Sequence, residues 1–271
     1  MNNIAIVTVS LQKAVIGDLL ASLEKQKNKK FKLFIIDFSS TTEAFPETTI
    51  EHEILTRPNK GYAYGVNEGV RHAIKQGFSN YCVINDDTFV KEDFIENALE
   101  RFKQHPATIF GGKIYYAPGH EYHADRYKES DLGRVIWYAG GLVDWDHAFT
   151  HHRGVDQVDT GAYDKLQQTE FITGCLLFFD KQVVNRIGFW DESYFLYFED
   201  ADYCERAKKN NVNVYYDPSI VIWHKVSQST GGSGSKLQAT YQGKNRVKWG
   251  VKYAPWRTKA HLILNYLSGR R

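Results

Sequence analysis

An apolar run, Tyr81-Cys-Val-Ile84, breaks abruptly into Asn85, Asp86 and Asp87. A short buried strand that ends in clustered carboxylates carries acceptor oxygens to the carboxyl edge of a sheet, where open α/β folds bind their ligands. Hard oxygen donors of this kind suit Mg²⁺ or Mn²⁺, and such an ion neutralises a diphosphate as it leaves. The same aspartates can instead cap the helix that the pattern starts near Glu92, as Asp does in strand-to-helix turns. Both readings stand at this point.

A second acidic group, Glu199, Asp200 and Asp202, crowds the first turn of a helix expected to run to about Asn210. Carboxylates there favour the helix dipole. Three acids beside Trp190, Tyr194, Phe195 and Tyr197 nevertheless exceed what a cap requires, and partly apolar surroundings push a carboxyl pKa up towards a general-base value. His224 closes a short extended piece, Ile220 to Trp223, where a histidine can equally be a satisfied polar residue. His151 and His152 have no third ligand at helical spacing, which argues against a metal pair. Cys82, Cys175 and Cys204 are odd in number, lack metal-type spacing and read as reduced packing residues.

The elements that would position these groups follow from periodicity. Ile4 to Val9, Phe31 to Phe38 and Glu51 to Thr56 are short strands, with helical spacing at Leu19, Leu20 and Leu23 between the first two. A glycine-punctuated turn, Arg57 to Gly69, opens a helix reaching Gly77, and its backbone amides suit an anion. It is neither a dinucleotide fingerprint nor a P-loop. An amphipathic helix is expected from Glu92 to Gln104. From Ile109 to Asp164 periodicity fades into aromatic, His and Gly residues, and an irregular segment of that length is usually functional. A buried strand at Glu170 to Phe179, a helix at Val183 to Ile187, extended pieces at Asn213 to Tyr216 and Ile220 to Trp223, and a Ser/Gly loop at Ser227 to Ser235 complete the pattern. Strands alternating with helices predict an α/β fold with a mostly parallel central sheet.

The chain has 271 residues, 42% hydrophobic and 14% aromatic, which excludes a disordered chain and fits one large α/β domain or a domain with an appendage. No apolar run reaches membrane-span length and Ile4 to Val9 is preceded by no basic signal region, so a cytoplasmic chain is expected. Charge is unevenly spread: ten of the 34 Lys and Arg follow Asp217, and none of the 32 Asp and Glu do. With Trp249, Tyr253, Trp256 and Tyr266 interleaved, this basic tail suits an anionic membrane surface, or a solvated face, or packing on the acidic part of the chain. Basic residues confined to a tail, with no recognition motif, argue against nucleic acid.

Four separated stretches together resemble the family 2 inverting glycosyltransferases of GT-A fold. Asn59-Lys-Gly-Tyr-Ala-Tyr-Gly-Val-Asn67 resembles the nucleotide loop, Asn85-Asp86-Asp87 the Asp-x-Asp variant with Asn first, and Thr173-Gly174-Cys175 the acceptor-side strand. Gly188 to Glu192, Phe198 to Arg206 and Ile222-Trp-His224 are similar in order and spacing to the catalytic acid block and downstream metal histidine. The Gly140-Gly141 segment and Lys244-Asn-Arg246 resemble the rhamnosyl- and galactofuranosyl-transferring branches.

The resemblance implies roles. Thr8 and Asp37 would hold the base and ribose of a nucleotide-sugar donor (dTDP-rhamnose or a UDP-sugar), with Arg57, Asn59, Gly61, Asn67 and Asn85 nearby. Asp87 and His224 would bind Mn²⁺ or Mg²⁺, with Asp86 close to the ribose or metal. Asp200 would be the base, with Trp137, Gly140, Gly141, Thr173, Gly174 and Glu199 towards a saccharide or lipid-linked acceptor. The expected domain is 1–243, divided near 112 into nucleotide-binding and acceptor halves, with 244–271 as a basic helical tail at the inner face of the plasma membrane. The whole reading requires Asp87, Asp200 and His224 to meet in one cleft. Two alternatives stand beside it: a nucleotidyltransferase, which also needs a metal and carboxylates at strand ends, although Thr8-Val-Ser-Leu-Gln-Lys13 lacks its basic glycine-rich loop, and a non-catalytic nucleotide- or sugar-binding module whose acids only cap helices.

Overall fold

A computed structural model describes residues 3–226 and 236–268. The Ser227 to Ser235 loop expected from sequence lies outside the described residues. Largely apolar runs form β1 (Ile4–Ser10) and β2 (Phe31–Asp37), with α1 (Gly17–Glu24) crossing between them, and the partly exposed edge strand β3 (His52–Thr56) pairs on β2. In α2 (Tyr62–Lys75), Ala63, Val66, Val70 and Ala73 recur on one face and are buried. Removing such a side chain from water contributes about 1.5–3 kcal/mol for a valine-sized group, which fixes the helix on the sheet. The strand β4 (Asn80–Ile84) is followed by β5 (Thr88–Val90), α3 (Phe94–Gln104) and β6 (Ile109–Tyr116).

Next come β7 (Ile136–Tyr138), β8 (Gly141–Asp144), β9 (Phe149–His152) and the two-residue β10 (Gln167–Gln168). The segment expected to be irregular from Ile109 is therefore partly sheet. Its opening strand hides this from periodicity because both of its faces are covered: even Lys113 is buried, ion-paired with Asp159 at 2.6 Å. The chain continues through β11 (Leu176–Asp180), α4 (Lys181–Ile187), α5 (Glu199–Lys209) and β12 (Val214–His224). The last of these is one strand where two pieces are expected; Asp217-Pro218 produces a register shift against β6 and does not end the strand.

Among the described residues the main sheet has ten strands, running β10-β12-β6-β11-β4-β1-β2-β3, with β5 added on β12 and β7 on β6. Its N-terminal half, β4-β1-β2-β3, is parallel, as βαβ alternation requires. The far half is mixed, because β11 runs antiparallel between β4 and β6 while β6 and β12 pair parallel.

Two helices close the described chain, α6 (Lys236–Tyr253) and α7 (Trp256–Leu267). The boundary expected at 243/244 falls inside α6. Trp249 of that helix is fully buried and stacks on Trp145 at 4.7 Å between ring centroids. Asp202, fully buried in α5, receives Lys252 Nζ at 2.5 Å and Tyr253 Oη at 2.9 Å. A buried carboxylate needs such partners, and α6 supplies them, so this helix belongs to the body of the domain.

Candidate active site

Sheet register assembles the first half of the site. β4 pairs in parallel with β1 up to Val7 opposite Val83, so the chain leaves β4 at Asn85 beside Val9. β5 then pairs antiparallel with the end of β12, setting Thr88 opposite His224, and Lys225 N–H donates to the Asp87 carbonyl at 2.9 Å. Pairing this close to both side chains places His224 Nε2 3.0 Å from Asp87 Oδ1, with both residues buried. The Trp137 ring stands edge-on to the His224 imidazole at 4.6 Å.

The second half comes from the turn before α5. Tyr197 and Phe198 both adopt positive φ, 69° and 72°. Two successive left-handed residues without glycine store strain of about 1–3 kcal/mol each and persist only where the surroundings hold them. The holders are visible. Asn245 of α6 donates to the carbonyls of Leu196 at 2.8 Å and Tyr197 at 3.0 Å, and Tyr62 N–H donates to the Phe195 carbonyl at 2.8 Å. Gly61, φ 107°, admits that approach: a Cβ there would lie 2.5 Å from the Phe195 oxygen. The turn delivers Asp200, whose Oδ2 accepts from Gly174 N–H at 2.7 Å and whose Oδ1 accepts from Ala201 N–H at 2.8 Å.

Both halves face one cavity of about 460 Å³, within the range of small-ligand sites. Asp86, Asp87, Asp200 and His224 all line it, as do Glu199 and Trp137. Burial pushes Glu199 well above the usual carboxylate range, with Asp200 adding to the effect. Burial also raises Asp200, although the Gly174 and Ala201 amides pull the other way. Burial alone would lower His224, but neighbouring Cys175 and Asp87 outweigh it and hold the imidazole well above its usual value.

Among the described residues no three His, Cys, Asp or Glu side chains are disposed as a complete metal cage. Asp87 and His224 offer a carboxylate oxygen and an imidazole nitrogen side by side and facing the cavity. That suits an ion such as Mg²⁺ or Mn²⁺, which characteristically takes one or two protein donors and fills its shell with substrate phosphates and water. An ion held there would compete with the proton on His224 for one nitrogen.

The glycosyl transferase family 2 model matches residues 4–187. The chain belongs to that family. A curated relative, the low-salt glycan biosynthesis hexosyltransferase Agl10 of Haloferax volcanii, is 22% identical over 183 residues, 66% of this chain and 54% of the relative. The chain thus spans about half the length of that relative. Among solved structures, GalNAc-T7 with UDP, GalNAc and Mn²⁺ superposes with TM-score 0.67 at 12% identity, covering 92% of this chain and 47% of that one. The mannosyltransferase PcManGT of Pyrobaculum calidifontis, in complex with GDP-Man and Mn²⁺, gives TM-score 0.55 at 15% identity, covering 96% and 69%. The fold is therefore of GT-A type. Asp200 and His224 lie beyond the span that the family model matches.

Of the residues that the family 2 resemblance singled out, the structure gathers most around the cavity. Asn59, Gly61, Asn85, Thr173 and Gly174 line it together with the acids, His224 and Trp137. Six others lie elsewhere. Thr8 is buried in β1 and leaves its neighbour Val9 facing the cavity. Asp37 is buried beside Lys13, 3.4 Å away, and accepts from Ser39 N–H at 2.8 Å. Arg57 pairs with Glu68 at 2.9 Å. Asn67 ties α2 to the chain before α5, donating to the Trp190 carbonyl at 2.9 Å and accepting from Trp190 N–H at 3.0 Å. Gly140 and Gly141 pack against Arg153 and Phe171.

Two further residues enter the site in roles that the sequence did not assign to them. Tyr62 Oη lies 2.9 Å from Asn85 Oδ1 and 3.0 Å from the Gly174 carbonyl, linking the Asn85–Asp87 edge to the turn that holds Asp200. His152 also lines the cavity, and burial pushes its pKa down to about 4. Its neighbour His151 is exposed near Asp144, because successive residues on β9 face opposite ways. The two histidines therefore cannot share a ligand.

Proposed function

We propose that this chain is a divalent-cation-dependent inverting glycosyltransferase, moving a sugar from a nucleotide-sugar donor to a hydroxyl of a saccharide acceptor. One observation carries the reading: Asp200, raised by burial and aimed by the Gly174 N–H, shares a single cavity with Asp86, Asp87 and His224. A base and an anion-handling group on one cavity are what single displacement needs.

Asp200 takes the proton from the acceptor hydroxyl as that oxygen attacks the anomeric carbon opposite the departing nucleoside diphosphate. Gly174 N–H keeps one carboxylate oxygen occupied, leaving Asp200 limited freedom to turn away from the acceptor. Asp87 and His224 would hold the cation, which when bound offsets the charge on the leaving diphosphate. Asn85, a neutral amide, can hydrogen-bond the nucleotide but adds no charge to the cation's shell. Trp137 presents an aromatic wall suited to a sugar ring.

The relatives support the class: one is named a hexosyltransferase of glycan biosynthesis, and two structures hold nucleotide or nucleotide-sugar with Mn²⁺. We propose dTDP-rhamnose or a UDP-sugar as donor, a cell-surface polysaccharide or lipid-linked saccharide as acceptor, and a cytoplasmic location at the inner membrane face. The test is release of nucleoside diphosphate from a panel of nucleotide sugars, with Mn²⁺, Mg²⁺ or chelator. No release from any donor with either ion and a saccharide acceptor would reject the proposal.

A further inference from the structure

We infer that α7 is an in-plane anchor for an anionic lipid surface. Its inner side is accounted for: Thr258 and Leu262 are buried, and Leu262 packs so closely on α6 that a Cβ at Gly250 would meet its Cδ1 at 2.3 Å. Its outer side is the reverse of a solvated helix. At about 100° per residue, Trp256, Ala260, Ile263, Leu264 and Leu267 fall on one arc opposite Thr258 and Leu262. These are exposed residues, with Trp256 at 74%, Leu264 at 65% and Leu267 at 76%.

A helix on a protein surface ordinarily turns its apolar stripe inward, and a contiguous outward stripe marks an interaction site. Charge selects the occupant. Arg257 and Lys259 border the two edges of the arc, and no acidic residue occurs in α7 or anywhere after Asp217. Apolar groups flanked by cations, with a tryptophan at one end, match the boundary between acyl chains and anionic headgroups. The helix lies in that plane and does not cross it, since no described helix is long and apolar enough to span a bilayer. The anchor is independent of the proposed transfer chemistry.

The test is co-sedimentation of the full chain with vesicles of phosphatidylcholine alone or containing phosphatidylglycerol at about one third. Binding is expected to the anionic vesicles and to weaken as salt is raised. Arg257→Gln with Lys259→Gln should weaken it about thirtyfold, from about 1 kcal/mol per cation. Trp256→Ser with Leu267→Ser should weaken it at least about tenfold, while transfer to a soluble acceptor is unchanged. Asp200→Asn should bind vesicles like wild type, so loss of transfer and loss of anchoring are read separately. Failure of the intact chain to sediment with anionic vesicles, or binding indifferent to both double variants, overturns the anchor. So does a concentration-dependent dimer that Trp256→Ser with Leu267→Ser dissolves, because the stripe would then be a contact between copies.

Discussion

The backbone N–H of Gly174 donates to Asp200 Oδ2 at 2.7 Å, joining the turn before β11 to the first turn of α5. A carboxylate fixed this way has one oxygen committed to the protein and the other near Ala201 N–H at the helix start. Its orientation is set before substrate arrives, which is where much of the advantage of a bound base originates. Asp200→Asn keeps the size and can still accept from Gly174, but cannot take a proton. Turnover should fall by about 10²–10⁴-fold, with donor affinity by calorimetry changed little. Near-normal turnover in this variant would remove Asp200 from the role of base.

Glu199 gives a stability prediction whose sign follows from burial. Its folded pKa stands well above the ordinary value, mainly through desolvation and then through Asp200. A carboxyl raised on folding contributes most below its unfolded pKa of about 4.3, and that contribution is lost as pH rises through the folded pKa. Glu199→Gln is neutral throughout. Its melting temperature should therefore gain on wild type as pH rises above about 5, and the gain should vanish in acid. A difference that stays flat across that range would show that Glu199 titrates normally.

Asp200 as the proposed base predicts an acid limb of activity. The base works ionised, and burial raises its pKa, so kcat/KM should fall on acidification at a pH above the ordinary Asp value of about 3.9. A profile flat down to that value would mean that the base is less buried than its surroundings imply.

Much of this site could be read from the chain because its signals are local. The apolar run into Asn85–Asp87 and the acids crowding the start of α5 each violate a simple pattern, and both sit on the cavity. Thr8 illustrates where that ends. β1 is buried on both faces, so it shows no alternation to tell which side chains face the site, and it is Val9 that does. Tyr62 and Asn245 lie inside motifs that the sequence shows, but their contacts were invisible for another reason. Their partners are backbone carbonyls and an amide 23 or more residues away, brought near only by the packing of α2 and α6. The strain at Tyr197 and Phe198 is likewise a property of the assembled turn.

Asn245 holds that strained turn with a buried amide that satisfies two of its carbonyls at once. Asn245→Ala leaves both without their donor and should cost about 1–3 kcal/mol of stability in chemical denaturation. If the turn relaxes, Asp200 loses its aim on the acceptor, so kcat should drop while the donor dissociation constant stays near wild type. Equal losses in donor binding and kcat would indicate general loosening of the fold and not misplacement of the base.

Asp87 and His224 differ in what each would lose. Asp87→Ala removes a charged oxygen donor, so the Mn²⁺-dependent part of nucleotide affinity should collapse towards the chelator value. His224→Gln keeps a polar group but removes the nitrogen for which metal and proton compete. In wild type that competition should weaken Mn²⁺-dependent donor binding as pH falls, because the imidazole holds its proton to unusually high pH. His224→Gln should bind more weakly overall yet lose most of this pH dependence. Calorimetric titrations of donor with Mn²⁺ across pH decide it: a wild-type slope that survives in His224→Gln would place the competing proton on another group.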